Sequence, residues 1–394
     1  MIILKGGCTY TLLCEELMGK ILELIKYKNR VVEKLEELLS KDSIDKAKND
    51  PHSKRRPRPC GITIHTGIGC SFICSYCYIY DMGFPAKASL YPLTPLELVY
   101  SLAKNPYIVP YRTFAAYGSV TEPFLLETRE KALEYIANTY RWLFLPSQIS
   151  TKISIDEELA NKLKNAEPNL SVLVTIVTIV KAAELEPLAP KPLERLRGIS
   201  VASKHGLPVY LFIRPVIPGI SDRELNMITK LGAEYNARGI VIGSLRITSS
   251  IIQRLRNSGV NIEIILKRAP RFPREREQIP IKINDIVSKA RKIAHDYGLK
   301  FFRSACMANV DSHNDYCYMC SLGPCGKNKD RYSVEHNEIA EYLEYMGLRP
   351  LTIELGPRYI SIVLRISSNE KSKLDIARTV LRYVSRREVS IRYS

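Results

Sequence analysis

The sequence predicts an α/β fold in which a parallel sheet curls into a full or partial β/α barrel. Short Val/Ile-rich runs alternate with helix-periodic segments through the middle of the chain, the pattern of repeated β-α units. A glycine-flanked loop with three cysteines follows the first of those runs, at the strand end where barrels gather their ligands.

From about residue 10 to 40, apolar residues fall at helical spacing (Leu17, Ile21, Leu24, Ile25, then Val31, Val32, Leu35, Leu38, Leu39). They predict one or two amphipathic helices before a polar linker near 41–58. Strands are then expected at Gly61–Thr66, Thr113–Gly118, Gln148–Ile153, Leu170–Ile179, Pro208–Ile213 and Gly239–Ile242, with a further one at Asn261–Leu266. Between them, helical patterns cover Pro95–Leu102, Thr128–Arg141, Asp156–Leu163, Pro192–His205, Asp222–Tyr235 and Ser249–Asn257. Past Lys327 the character changes. A helix at Glu335–Tyr345, strands at Leu351–Leu355 and Tyr359–Ile366, a helix at Lys373–Tyr383 and a strand near Val389–Tyr393 describe a small α+β module. The expected organisation is an N-terminal helical extension and basic linker (1–58), the barrel (59–303), a four-cysteine segment (304–330) and a basic α+β module (331–394).

Composition narrows the function classes. The longest aliphatic stretch, Val172–Val180, contains Thr175 and Thr178 and falls far short of the roughly 20 residues that span a bilayer. Met1–Lys5 lacks the features of a signal peptide, so the ten cysteines are expected to serve metal or redox chemistry in a reducing cytoplasm, with no membrane partner. Net charge is +17, from 58 Lys plus Arg against 41 Asp plus Glu, which favours polyanions such as RNA or DNA. The excess concentrates in Lys54–Arg58, in Lys267–Arg276 and in Arg378, Arg382, Arg386, Arg387 and Arg392. Arg378, Arg382 and Arg386 fall four apart on one face of the last expected helix, as a phosphate-following stripe or as a solvent-facing side. No named RNA-binding signature is present.

The run Gly-Ile-Gly-Cys70-Ser-Phe-Ile-Cys74-Ser-Tyr-Cys77-Tyr reads as an iron–sulfur site with one ligand missing. A cubane takes one thiolate per iron, so three cysteines leave one iron open to a small molecule. The same spacing also lines one face of a helix, but Gly67 and Gly69 favour a tight loop. Zinc fits poorly with three thiols and no nearby histidine beyond His65. A second set, Cys306, Cys317, Cys320 and Cys325, supplies four thiols near Gly323, Pro324 and Gly326, for an auxiliary [4Fe-4S] cluster or a structural zinc. Its irregular spacing, without paired knuckles, tips the balance toward iron–sulfur. Cys8, Cys14 and Cys60 are expected to be isolated thiols.

The cysteine loop, Gly118-Ser-Val-Thr-Glu-Pro123, Thr151-Lys152, Val174-Thr-Ile-Val-Thr178, Glu186-Pro-Leu-Ala-Pro190 with Arg195-Leu196, and Arg214-Pro-Val-Ile-Pro-Gly219-Ile-Ser-Asp222 occur in one order. Over roughly 59–245 this resembles the spore photoproduct lyase-related branch of the radical S-adenosylmethionine (SAM) superfamily. The resemblance implies a radical SAM β/α barrel, a [4Fe-4S] cluster on Cys70, Cys74 and Cys77, and SAM as cofactor or cosubstrate. It also implies an electron donor and reductive cleavage of SAM to a 5'-deoxyadenosyl radical. By position, Tyr76 would pack near the adenine, Gly118, Ser119 and Thr121 would approach the methionyl end, and Thr151 and Lys152 would hold the carboxylate. Thr175, Thr178 and Arg214 would serve ribose or methionyl contacts. One departure stands out: photoproduct lyases use a further cysteine as hydrogen-atom donor, and this chain has none between Cys77 and Cys306. The expectation is therefore a radical SAM enzyme with its substrate open, between nucleic acid and a peptide or small metabolite. An iron–sulfur or zinc nucleic-acid-binding or redox-sensing protein is the alternative of another class.

Overall fold

The computed structural model describes residues 20–58, 61–365 and 371–393. Cys8, Cys14, Cys60 and the part of the expected N-terminal helix before residue 20 lie outside them. Helix α1 (Ile21–Leu38) buries Ile21, Leu24, Ile25, Val31 and Leu35 at the expected helical spacing. Val31 and Leu35 join the barrel core, whereas Ile21, Leu24 and Ile25 join a second core shared with the C-terminal module. The expected linker contains a helix, α2 (Lys41–Asn49). Its charged composition hid it, but the Ser40 hydroxyl accepts from the Ser43 N–H as an N-cap, and Ala47 is buried.

Seven strands form one parallel sheet in sequence order: β1 (Ile62–Ile64), β2 (Ala115–Tyr117), β3 (Ser147–Thr151), β4 (Ser171–Thr175), β5 (Val209–Val216), β6 (Gly239–Ser244) and β7 (Lys300–Phe302). The two end strands do not pair with each other, so the barrel is partial. Helices α3 (Pro95–Lys104), α4 (Arg129–Leu143), α5 (Glu157–Ala166), α6 (Pro192–Lys204), α7 (Ser221–Glu234), α8 (Ser249–Asn257) and α9 (Asn284–Asp296) fill the connections. Helix α3 starts at a complete capping box, with Thr94 and Glu97 satisfying each other's backbone N–H groups and Pro95 in the first turn.

Three expectations are corrected here. Asn261–Leu266 is no strand, because the Asn261 side chain accepts from the Glu263 N–H and starts a helical turn at Ile262–Leu266. The seventh strand is β7, preceded by the unexpected helix α9, which buries Ile286, Ala290, Ile293 and Ala294 along one face. Strand β4 also ends at Thr175, earlier than expected, and its continuation leaves the sheet while Ile176 and Val177 remain fully buried.

Period-two alternation places alternate residues of the central strands inside the barrel. Val172, Val174, Leu211, Ile213, Ile240 and Ile242 belong to the main core under the helices. Leu173, Tyr210, Phe212, Val241 and Phe302 cluster instead with Ala308 of α10 (Ala305–Ser312), which plugs the interior. Three contacts hold the plug. Gln148 donates to the Ala305 carbonyl at 2.7 Å, Asn309 to the Pro146 carbonyl at 3.1 Å, and the Tyr210 hydroxyl to Asp311 at 2.7 Å.

The C-terminal module contains α11 (His336–Tyr345), β8 (Arg349–Leu355), β9 (Tyr359–Arg365), α12 (Lys371–Ser385) and β10 (Glu388–Tyr393). Strands β8 and β9 pair antiparallel, β9 and β10 parallel. The expected arginine stripe is not formed. Helix α12 ends at Ser385, and Arg386 turns inward with φ 53° to become fully buried. There its guanidinium bonds Asp315 at 3.3 Å and lies 4.1 Å from the Phe114 ring centre. Arg382 donates to the Met319 carbonyl at 2.6 Å, leaving Arg378 as the half-buried remainder. Among the described residues, no helix is long and apolar enough to cross a membrane.

Candidate active site

The chain leaving β1 folds back on itself as the cysteine loop. Gly69 turns with φ +82°, and a Cβ there would lie 2.4 Å from the Pro85 carbonyl oxygen, so glycine is required. The Cys70 N–H bonds that same carbonyl at 3.2 Å, and the Tyr80 hydroxyl donates to the Cys70 carbonyl at 3.1 Å. From α8, Arg254 clamps the other side, donating to the Ser75 carbonyl at 3.1 Å, the Cys77 carbonyl at 2.8 Å and Asp81 at 3.1 Å. The backbone is thus fixed independently of what the thiols do.

The three thiols open onto a cavity of about 270 Å³ at the C-terminal ends of the strands. Cys70, Cys74, Cys77, Tyr76, Gly118, Ser119, Thr121, Thr151, Lys152, Thr175 and Arg214, all singled out by sequence, line this one space. Thr178 does not. Its hydroxyl donates to Glu224 at 2.6 Å, tying the loop after β4 to α7.

The cavity is open on one side and buried on the other, and the ionisable groups of its inner side respond to that burial. Burial pushes the thiols of Cys70 and Cys77 up and that of Cys74 to about 12. Burial works against the charge of Lys152, but Cys74 and Glu186 outweigh it and hold its pKa above the ordinary lysine value. The Lys152 ammonium lies 5.5 Å from the Tyr76 ring centre. Behind them the Tyr76 hydroxyl donates to Glu186, which Arg195 engages at 2.6 Å. Arg195 also bonds the Thr175 carbonyl at 3.0 Å and the Pro190 carbonyl at 2.6 Å. Glu122, raised in pKa by burial, accepts from the Thr151 hydroxyl at 2.5 Å and the Lys152 N–H at 2.8 Å. It thereby fixes the end of β3.

Sequence alone does not single out Glu122, Glu186 and Arg195, although each lies within a quoted motif. Arg246 and Arg254 carry no local signal. Their place at the site depends on how α8 and the β6 end fold across the loop.

Among the described residues, no three Cys, His, Asp or Glu side chains converge as ligands of one metal ion. A cubane makes a different demand, since each thiolate binds its own iron and the sulfurs stand around a cluster rather than a point. Three thiols lining one cavity suit that demand. The Thr121 hydroxyl, buried on the same cavity and without a hydrogen-bond partner, suits a polar ligand beside it.

Two solved structures of spore photoproduct lyase share this architecture. One variant gives a TM-score of 0.51 at 13% identity, over 61% of this chain and 75% of the lyase chain. A second variant, with bound AdoMet and dinucleoside spore photoproduct, gives 0.51 and 13% over 61% and 75%. The chain has the fold of spore photoproduct lyase. A radical SAM methyltransferase from Sphaerobacter thermophilus gives a TM-score of 0.43 at 15% identity, over 63% of this chain and 67% of that one. No protein-family model and no curated protein sequence matches the chain.

On this fold, the second cysteine set sits where the barrel plug meets the C-terminal module. Cys306 lies in the first turn of α10, one residue from the cavity-lining Ala305. Cys317 and Cys325 face each other across a two-residue antiparallel ribbon, and Cys320 lies in its turn. Burial raises Cys325 to about 12, with the neighbouring thiols of Cys317, Cys306 and Cys320 adding to it, so the four form one electrostatic group. Cys317 is also raised by burial, opposed by the adjacent Arg386.

Proposed function

We propose that this chain is a radical SAM enzyme, with a [4Fe-4S] cluster on Cys70, Cys74 and Cys77 and SAM in the adjoining cavity. The observation that carries the reading is the meeting of three thiols, the Lys152 ammonium and the unpartnered Thr121 hydroxyl on one cavity. When bound, cluster and SAM supply one-electron reductive cleavage and hydrogen-atom abstraction. The chain's residues bind and orient. Lys152 neutralises the SAM carboxylate, Thr121 supplies a hydrogen bond toward the methionyl end, and Tyr76, held by Glu186, presents its ring to the adenine. Phe72, Val120, Leu173 and Phe212 on the cavity wall exclude water from the reactive region.

The test is anaerobic reconstitution followed by dithionite and SAM. Release of 5'-deoxyadenosine by the native chain, and its loss in Cys74→Ala, are expected because two thiols cannot hold the cubane. No product from the native chain, or undiminished product from Cys74→Ala, would refute the reading. The first of these outcomes favours a structural or redox-sensing role for the thiols.

The reading requires an electron donor and suits a reducing cytoplasm. The second cysteine set is read as a thiolate metal centre, an auxiliary [4Fe-4S] cluster ahead of zinc. For the substrate, a nucleic acid leads over a peptide or small metabolite, supported by the net charge of +17. Within the basic segments, Arg56 pairs with Asp375 at 2.7 Å and Arg268 with Asp285 at 2.7 Å. Exposed Lys54, Lys267, Arg274 and Arg276 remain for phosphate contacts. Binding should weaken with salt by a log–log slope of about 0.7 to 0.9 per contacted phosphate, and salt-insensitive binding would remove the nucleic acid.

A further inference from the structure

The arginines that build the cavity's surroundings have carboxylate partners: Arg195 with Glu186 at 2.6 Å and Arg254 with Asp81 at 3.1 Å. Two arginines on the cavity itself differ. Arg214 near the end of β5 and Arg246 just past β6 both line it, and neither forms an ion pair among the described residues. Desolvation lowers the pKa of Arg214, Tyr78 raises it and Arg246 lowers it again, so the two guanidinium groups feel each other with no carboxylate between them. Both arginines are exposed to solvent on the open side of the cavity.

Like charges lining one cavity repel each other, and a group of opposite charge seated there relieves that repulsion. The backbone also makes room for the arrangement. A Cβ at Gly243 would lie 2.6 Å from Arg214 Cδ and 2.8 Å from its Cγ, so the arginine shaft rests on a bare stretch of β6. Lys152, at the end of β3, is a separate cation two strands away.

We propose that Arg214 and Arg246 form an oxyanion site for the substrate, taking a phosphate or carboxylate group of the molecule on which the radical acts. Assigning that anion to the substrate rests on the SAM-enzyme reading of the cavity. Guanidinium forks match both oxyanions in shape as well as charge. The chemistry thus selects an anionic substrate, a phosphodiester or a small carboxylate or phosphate metabolite, over a neutral one.

The experiment is equilibrium dialysis of the cluster-reconstituted chain against radiolabelled inorganic phosphate, with and without saturating SAM. Phosphate should bind in both conditions, and at least about tenfold more weakly to Arg246→Gln, an exposed position whose replacement leaves the core intact. Gly243→Ala keeps both guanidinium groups but displaces the Arg214 shaft, and should also weaken binding. Failure of the native chain to bind, or equal binding by both variants, overturns the site. Displacement of phosphate by SAM overturns the substrate assignment and gives the guanidinium groups to the SAM carboxylate. Failure of the SAM-enzyme reading registers separately, as absence of 5'-deoxyadenosine, and leaves the dialysis result readable.

Discussion

Replacing Arg195 with Met should destabilise the barrel more than almost any other single change at the site. Its side chain and that of Glu186 are 1% and 0% exposed, and the guanidinium serves Glu186 and two backbone carbonyls at 2.6 to 3.0 Å. Methionine fills much of the volume but leaves a buried carboxylate without its counter-charge. Removing one partner of such a pair costs about 3–5 kcal/mol. Native domains hold only about 5–15 kcal/mol in all, so the loss is a large share. Urea unfolding of the metal-free chain, followed by circular dichroism, measures it. The double variant Glu186→Leu/Arg195→Met removes both charges; the Thr175 and Pro190 carbonyls lose Arg195 in both variants, so its added loss is the Tyr76 hydroxyl's partner, about 1–3 kcal/mol. It should therefore be more stable than Arg195→Met alone. A single variant within about 1 kcal/mol of the native chain, or a double variant less stable than the single, would refute the argument that an uncompensated charge sets the cost.

Three further outcomes are expected. Burial lowers the pKa of His52 and brings that of His65 to about 3, against an ordinary value near 6.5, so both are neutral when folded and take up protons on unfolding. The His65 contribution is complete above about pH 6.5 and is lost as pH falls toward 3, by at most about 1.4 kcal/mol per pH unit, and His52 acts in the same direction; denaturant midpoints flat between pH 7 and 4 would contradict this. If the second cysteine set binds an auxiliary cluster, a chain with Cys70, Cys74 and Cys77 all replaced by Ala should retain iron and sulfide, whereas stoichiometric zinc without sulfide assigns the structural alternative. Arg386→Glu should behave as a folding lesion, with soluble yield or unfolding midpoint falling sharply because it sets a carboxylate against Asp315; native-like stability would contradict the buried geometry.

The strand-helix alternation was legible because period-two and helical spacing are carried by near neighbours, and six of the seven strands lie where it placed them. Strand β7 has only three residues, too few to show a period, and its place was assigned instead to Asn261–Leu266. Helix α2 was missed for a different reason. It buries little apolar surface, and its start depends on a single serine hydroxyl.

The sequence by itself determined the thiol spacing, the parallel architecture and the strand-end residues that share the cavity, because each depends on local order along the chain. Only the tertiary structure decided which charges are free and which are spoken for. Arg386, aligned by helical spacing with Arg378 and Arg382, is buried against Asp315, which lies 71 residues away. Arg246, undistinguished in sequence, lines the same cavity as Arg214, and Arg254 reaches 177 residues back to hold the Cys77 carbonyl. A charged side chain's fate depends on the dielectric and the partners that folding brings to it, and neither is recorded in its own neighbourhood of the chain.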